Sequence, residues 1–146
     1  GMGCPDWPKC FDRWVPPTSI EQLPDHIDPA KFNIVLAWIE YGNRLFGALV
    51  GLSIAVTLYL GLKHCSHLPR IKWPLIAAFS LTLFEGCLGS VLVKTVLNTF
   101  TITLHLFFAL LLVILLVFVA QESYYISFID SEKYSHYPPK MNFLFL

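Results

Sequence analysis

The sequence predicts an all-α, polytopic membrane protein, a helix bundle with three transmembrane helices. Three observations carry this reading. Hydrophobic residues make up 55% of the 146 residues, and mean hydropathy is +0.61. Charged residues are only 14%, against about 25% in soluble domains. The charges are also unevenly placed: across 45–120 only Lys63, Arg70, Lys72, Glu85 and Lys94 carry one. The chain is long enough for one domain. Ten Lys and Arg balance ten Asp and Glu with no basic run longer than two residues, so there is no electrostatic footprint for nucleic acid.

The first run, 45–62, holds 18 uncharged residues; the second, 73–93, holds 21 with one charge; the third, 100–120, holds 21 with none. Each matches the roughly 20 helical residues that cross a hydrocarbon core of about 30 Å. The first helix is expected to start earlier, because 32–40 is also largely apolar and no Pro or turn signal separates it from Leu45. Its outer end should project beyond the hydrocarbon. The reading divides the chain into an external segment with a Cys pair at 1–33, a three-helix transmembrane region at 34–122, and a cytoplasmic loop with the start of a further span at 123–146.

Orientation follows from the short basic loop between the first two spans, where Lys63, Arg70 and Lys72 stand with His64 and His67. Such loops stay cytoplasmic, so the segment before the first span is external. Cys4 and Cys10, in the stretch CPDWPKC, then lie on the side where disulfides persist. A disulfide is the first reading of this pair; two free thiols or a metal pair remain open, although no zinc-like Cys/His partner and no CxxCH haem-attachment motif is present. Cys65 falls on the cytoplasmic side and Cys87 inside a span, and both are expected to be reduced. The absence of a signal peptide before an external segment and the apolar residues 141–146 after Pro138 and Pro139 lead us to expect part of a larger membrane protein.

Chemistry must come from the few polar groups at membrane depth, because ionisable residues there are costly and face a bundle interior or cavity. On the first helix Glu40, Asn43, Arg44, Gly47 and Gly51 fall within an arc of about 100°, and the Gly47-x3-Gly51 strip admits a second backbone or a flat ligand. Ala78, Thr82, Glu85 and Gly89 share a face of the second helix, and Thr101, His105 and Ala109 one of the third. Counted from the outer ends, His105 lies roughly 7 to 8 Å deep and Glu85 about 12 Å, so the expected site opens outward with Glu85 below it.

Each residue also has a structural reading. Glu40 and Arg44 form an i, i+4 pair in the favourable order. Asn43 can serve as a helix-to-helix hydrogen bond, His105 as an interfacial or hydrogen-bonded side chain, and the glycines as packing devices. Glu85 needs a partner, a proton or a cavity. The loop histidines His64, His67 and His136 are expected to be solvated.

Taken together, GMGCPDWPKC, WVPPTS, WIEYGNRLFGALVGL, FEGCLGSVLVKT and TITLHLFFALLLV resemble the N-terminal half of the haem A synthase family, from Gly1 to about Val119. The resemblance implies membrane oxidases of eight helices in two similar four-helix halves, converting the C8 methyl of haem O to the formyl group of haem A for cytochrome oxidase. It implies that the three spans are helices two to four, with haem O as substrate in this half and a permanent haem b in the second half. By the same resemblance His105 matches an axial haem-iron ligand, Glu40 the carboxylate at the substrate site, and Cys4 and Cys10 a disulfide-forming loop pair. Asn43, Arg44, Gly47 and Gly51 would line the haem, with Arg44 facing either a propionate or Glu40. Implied partners are the lipid bilayer, haem O, a haem O synthase and an electron donor, with a homo-oligomer left open. The implied location is the bacterial plasma membrane.

The chain departs from the family pattern at two places. Asn43 stands where many members have His, and an amide is a poor iron ligand beside imidazole. Glu85 stands where Gln is more usual. With the first helix and second half expected elsewhere, this stretch alone is expected to be inactive. Two rivals from other classes are a haem-binding electron-transfer or haem-handling subunit and a membrane disulfide oxidoreductase using Cys4 and Cys10.

Overall fold

The structure is a computed structural model that describes residues 3–135, without the side chains of Lys31 and 130–135. Three helices follow a loop segment: α1 (Ile34–His64), α2 (Pro69–Lys94) and α3 (Thr99–Ser135). The described part of the loop segment holds two single-turn 3-10 helices, Ile20–Gln22 and Pro29–Lys31, and no strand. All three long helices are long and apolar enough to cross a membrane.

Local chemistry explains where each helix begins and ends. The Asn33 side chain accepts from the Leu36 N–H at 3.1 Å and so caps α1. Nothing breaks the helix over 31 residues, about 46 Å at 1.5 Å per residue, so α1 exceeds the hydrocarbon thickness as expected. Lys63 and His64 sit in its last turn, where positive charge suits the helix dipole. Pro69 opens α2 at a position whose N–H has no helical acceptor in any case. Pro74 lies inside α2, where its ring removes the hydrogen bond to the carbonyl of Arg70.

The turn from α2 to α3 uses unusual residues. The N–H of Val96 donates to Val93 O at 3.2 Å and that of Leu97 to Leu92 O at 3.0 Å, the pattern that satisfies the last carbonyls of a helix. Both residues are left-handed, with φ of 52° and 60°, a region that β-branched Val adopts only under strain. The Asn98 side chain then accepts from the Phe100 N–H at 2.9 Å and starts α3.

α3 does not stop where the uncharged run stops. It continues through Glu122 to Ser135, so much of the segment assigned to a cytoplasmic loop at 123–146 is helix. Charges end the match to hydrocarbon, but they do not break a helix, and no Gly or Pro occurs between Phe100 and Ser135. The expected start of a further span at 141–146, and His136, lie outside the described residues.

α2 is the central helix and packs on both neighbours, more extensively on α3. At the end of the bundle bearing Lys63, Arg70 and Lys72, the buried residues Ile71, Leu75 and Val119 pack with Leu58, Cys65, Leu68 and Ile126. A Cβ at Gly61 would come within 2.5 Å of Leu75 Cδ2, so α1 and α2 approach closely because position 61 has no side chain. Arg70 and Glu122 add a contact of 3.9 Å from α2 to α3.

A second core lies at the opposite end. Cys4, Cys10 and Phe11 are buried with Ala37 of α1, and Leu23, Ile27 and Phe32 close around them. This seats the loop segment on the start of α1. Most Leu, Val, Ile and Phe side chains of the helices face outward, as lipid-exposed surface does.

Candidate functional site

Two polar groups sit at the loop-bearing half of the bundle, and they differ in kind. The first joins the loop to α1. Cys4 and Cys10 form a disulfide with Cα atoms 4.8 Å apart, and the Asp6 carboxylate accepts from the N–H groups of Phe11 (2.6 Å) and Asp12 (2.9 Å). Both of those residues are left-handed, with φ of 55° and 60°. The loop is thus a closed, internally bonded ring. Gly3 lies directly on α1, where a Cβ would collide with the backbone carbonyl of Leu36.

Glu40 and Arg44 fasten this ring. Oε2 of Glu40 accepts from the N–H of Gly3 at 2.8 Å and of Cys4 at 3.0 Å, and Oε1 from Arg44 Nη2 at 2.5 Å. Arg44 Nη1 donates to the carbonyls of Asp6 (2.9 Å) and Lys9 (2.8 Å). The two side chains are only 25% and 17% exposed. Both carboxylate oxygens of Glu40 are therefore engaged, and its surroundings are those of a strut that holds the loop. Arg44 faces Glu40 and the loop carbonyls. Asn43 is exposed on the same helix.

The second group joins α2 to α3. His105 Nδ1 lies 2.6 Å from Glu85 Oε2, with the side chains 37% and 11% exposed. Neither Nδ1 nor Glu85 Oε1 has an in-line hydrogen bond among the described residues, and both atoms are enclosed. The contact is thus a close approach of imidazole and carboxylate that lacks hydrogen-bond alignment. Ala78 and Thr101 on the same faces are buried, and the Thr82 hydroxyl donates to Ala78 O at 2.8 Å. The expected ordering by depth is corrected here: Glu85 is level with His105. Counting inward from the end of each apolar run omits the offset that the turn at 95–98 sets between α2 and α3.

Between α1 and α2 the packing loosens toward the loop. A Cβ at Gly51 would meet Thr82 Cγ2 at 3.5 Å, but none at Gly47, Gly86 or Gly89 would have an atom within 4 Å. The antiparallel register that pairs Gly51 with Thr82 brings Gly47 near the level of Gly86, beside Glu85. Gly47 and Gly86 are exposed and Gly89 is half-buried, so a side-chain-free helix surface lies next to Glu85 in sequence on α2 and near its level on α1. No hydrogen bond or ion pair links the Glu40–Arg44 group to the Glu85–His105 group among the described residues. The single site expected from the sequence is two: a loop anchor on α1 and a polar pair between α2 and α3. The pairing of Glu85 with His105 escaped the sequence reading, and the only signal for it was that each needed a partner.

The residues fit a porphyrin in part. An imidazole whose Nδ1 faces a carboxylate presents Nε2 as a metal-directed lone pair, and the glycine positions leave room for a flat ring. Clusters of three or more His, Cys, Asp or Glu suited to a bare metal ion do not occur among the described residues.

A three-span helical bundle with a disulfide-closed loop at one end and an ionisable pair between two of its helices defines an integral membrane protein with an interior polar site. The family described as Cytochrome oxidase assembly protein matches residues 1–144, and the chain belongs to that family. It is 34% identical over 129 residues to the heme A synthase of Shewanella oneidensis, covering 82% of this chain and 37% of that protein. It is 28% identical over 131 residues to the heme A synthase of Geobacillus kaustophilus, with 85% and 37% covered. For the heme A synthase of Shouchella clausii the figures are 24% over 140 residues, with 95% and 40% covered. The chain thus spans well under half the length of these relatives. No solved structure matches it.

Proposed function

We propose that this chain forms the N-terminal part of a haem A synthase, an oxidoreductase that converts the C8 methyl of haem O to a formyl group for cytochrome oxidase. Membership of the family and the similarity to three heme A synthases support the reaction class. The observation that carries the site is the imidazole of His105 set 2.6 Å from Glu85, with the side-chain-free surface of Gly47, Gly86 and Gly89 at that level of α1 and α2.

In this reading haem O is the substrate and His105 Nε2 is its iron ligand. When bound, the iron supplies the oxidising chemistry. The chain's own residues do the rest. The glycines admit the ring edge, the apolar faces of the three helices exclude water, and the disulfide-closed loop covers the end of the bundle, held there by Glu40 and Arg44. Asn43 is exposed and an amide is a poor substitute for imidazole, so among the described residues of the three spans His105 is the ligand this reading uses. A resident haem b and its ligands belong to the rest of the protein. The loop is external, as the basic residues between α1 and α2 support, and the membrane is the bacterial plasma membrane, in keeping with the bacterial relatives. A haem O synthase, an electron donor and further copies of the protein are the partners this reading admits.

A disulfide oxidoreductase is disfavoured because Cys4 and Cys10 are 0% and 1% exposed, and thiol exchange needs access to a sulfur. The test is expression of the full-length protein in membranes that make haem O but no haem A, followed by pigment extraction. Haem A should accumulate, and His105→Ala should abolish it. Recovery of haem O alone from the wild-type protein overturns the enzymatic reading.

A further inference from the structure

An iron ligand needs only an imidazole, so the carboxylate beside it calls for its own account. Glu85 is an ionisable side chain within a membrane-spanning helix, a placement that persists only where a partner or a function repays it. Its Oε2 lies 2.6 Å from His105 Nδ1. Its Oε1 is enclosed and has no hydrogen-bond partner among the described residues. The nearest charged residue on α2 is Lys94, more than two turns away, and the charged pair of α1, Glu40 and Arg44, is spent on the loop. Among the described residues, His105 is therefore the one group that Glu85 serves.

We infer that Glu85 is the positioning carboxylate of the haem ligand: it turns the His105 ring by its Nδ1 edge, holds the tautomer with the proton on Nδ1, and directs the Nε2 lone pair at the iron. This deepens the proposed function and rests on its assignment of His105 as ligand. Partners of this kind fix ring orientation and raise ligand basicity, and their loss costs about 10- to 100-fold in metal affinity. The negative charge has a further effect that an amide lacks. By making the imidazole a stronger donor it favours ferric over ferrous iron, so the haem at this site has a lower midpoint potential than it would with Gln at position 85. Orientation and charge are thereby separable: Glu85→Gln keeps an acceptor oxygen for Nδ1 and loses the charge, whereas Glu85→Ala loses both.

The experiment uses the purified full-length protein loaded with haem O, and takes as the signal of this site the haem component that disappears in His105→Ala. Glu85→Gln should keep that component and raise its midpoint potential. Glu85→Ala should weaken its binding by about 10- to 100-fold, and Glu85→Asp should restore the low potential in part. An unchanged potential in Glu85→Gln together with unchanged affinity in Glu85→Ala overturns the inference while leaving the ligand assignment standing. If His105→Ala keeps every haem component, the ligand assignment falls and this inference with it. Should Glu85→Ala fail to accumulate in membranes, the comparison of Gln with Asp decides the matter through the potential alone.

Discussion

Arg44 gathers two loop carbonyls and one carboxylate on a single side chain: it bonds Glu40 and the carbonyls of Asp6 and Lys9. Hydrogen bonds to a charged group contribute about 1.5–3 kcal/mol each, and removing one partner of a largely enclosed pair strands the other charge. Arg44→Ala should therefore loosen the loop by about 3 kcal/mol without unfolding the helices. The measurement is the rate at which dithiothreitol reduces the Cys4–Cys10 bond, which should rise by about two orders of magnitude while helical circular dichroism is unchanged. Gly3→Ala should act in the same direction, because a methyl group there meets the Leu36 carbonyl and no side-chain rotation relieves it. The i, i+4 spacing of Glu40 and Arg44 made their pairing legible in the sequence. Their grip on the loop was not, since its other halves are backbone N–H and carbonyl groups more than 30 residues away, which no residue type announces.

At the level of elements, the spans were legible because lipid imposes a simple requirement of length and apolarity, and α1 to α3 satisfy it. The end of α3 was not, because the feature that ends a hydrophobic run differs from the one that ends a helix. The Glu85–His105 pair was hidden for a related reason: faces follow from periodicity, whereas relative height depends on the turn between helices. That turn holds Val96 in a left-handed conformation with the residue 72% exposed. A non-Gly residue there costs about 1–2 kcal/mol, and glycine's extra freedom in the unfolded chain takes back about 0.5–1 kcal/mol. Val96→Gly should thus stabilise the α2–α3 hairpin by roughly 0.5–1 kcal/mol, seen as a higher melting temperature in detergent. A lower one would show that the conformation carries no strain.

For the molecule as a whole, the proposed orientation can be read by labelling from one side of the membrane. In intact cells an impermeant maleimide should modify Ser19→Cys in the loop segment and spare His67→Cys between α1 and α2, with the pattern reversed in inverted vesicles. The background variant replaces Cys65 and Cys87, the two free thiols among the described residues. Labelling of position 67 from outside would invert the topology and, with it, the side on which the proposed haem site opens.

The uneven spacing of α1 and α2 gives the bundle the mechanics of a seesaw. Gly51 against Thr82 is the fulcrum, with the snug Gly61–Leu75 contact on one arm and the gap at Gly47 on the other. The arm to Gly61 is about 15 Å long and that to Gly47 about 6 Å, at 1.5 Å per residue. A wedge such as Gly61→Val, distant from Glu85 and His105, should pry the snug end apart and tip the other end shut wherever the Leu75 side chain does not yield to it. Under the proposed function its cost should appear as slower uptake of haem O, not as a weaker bond to iron.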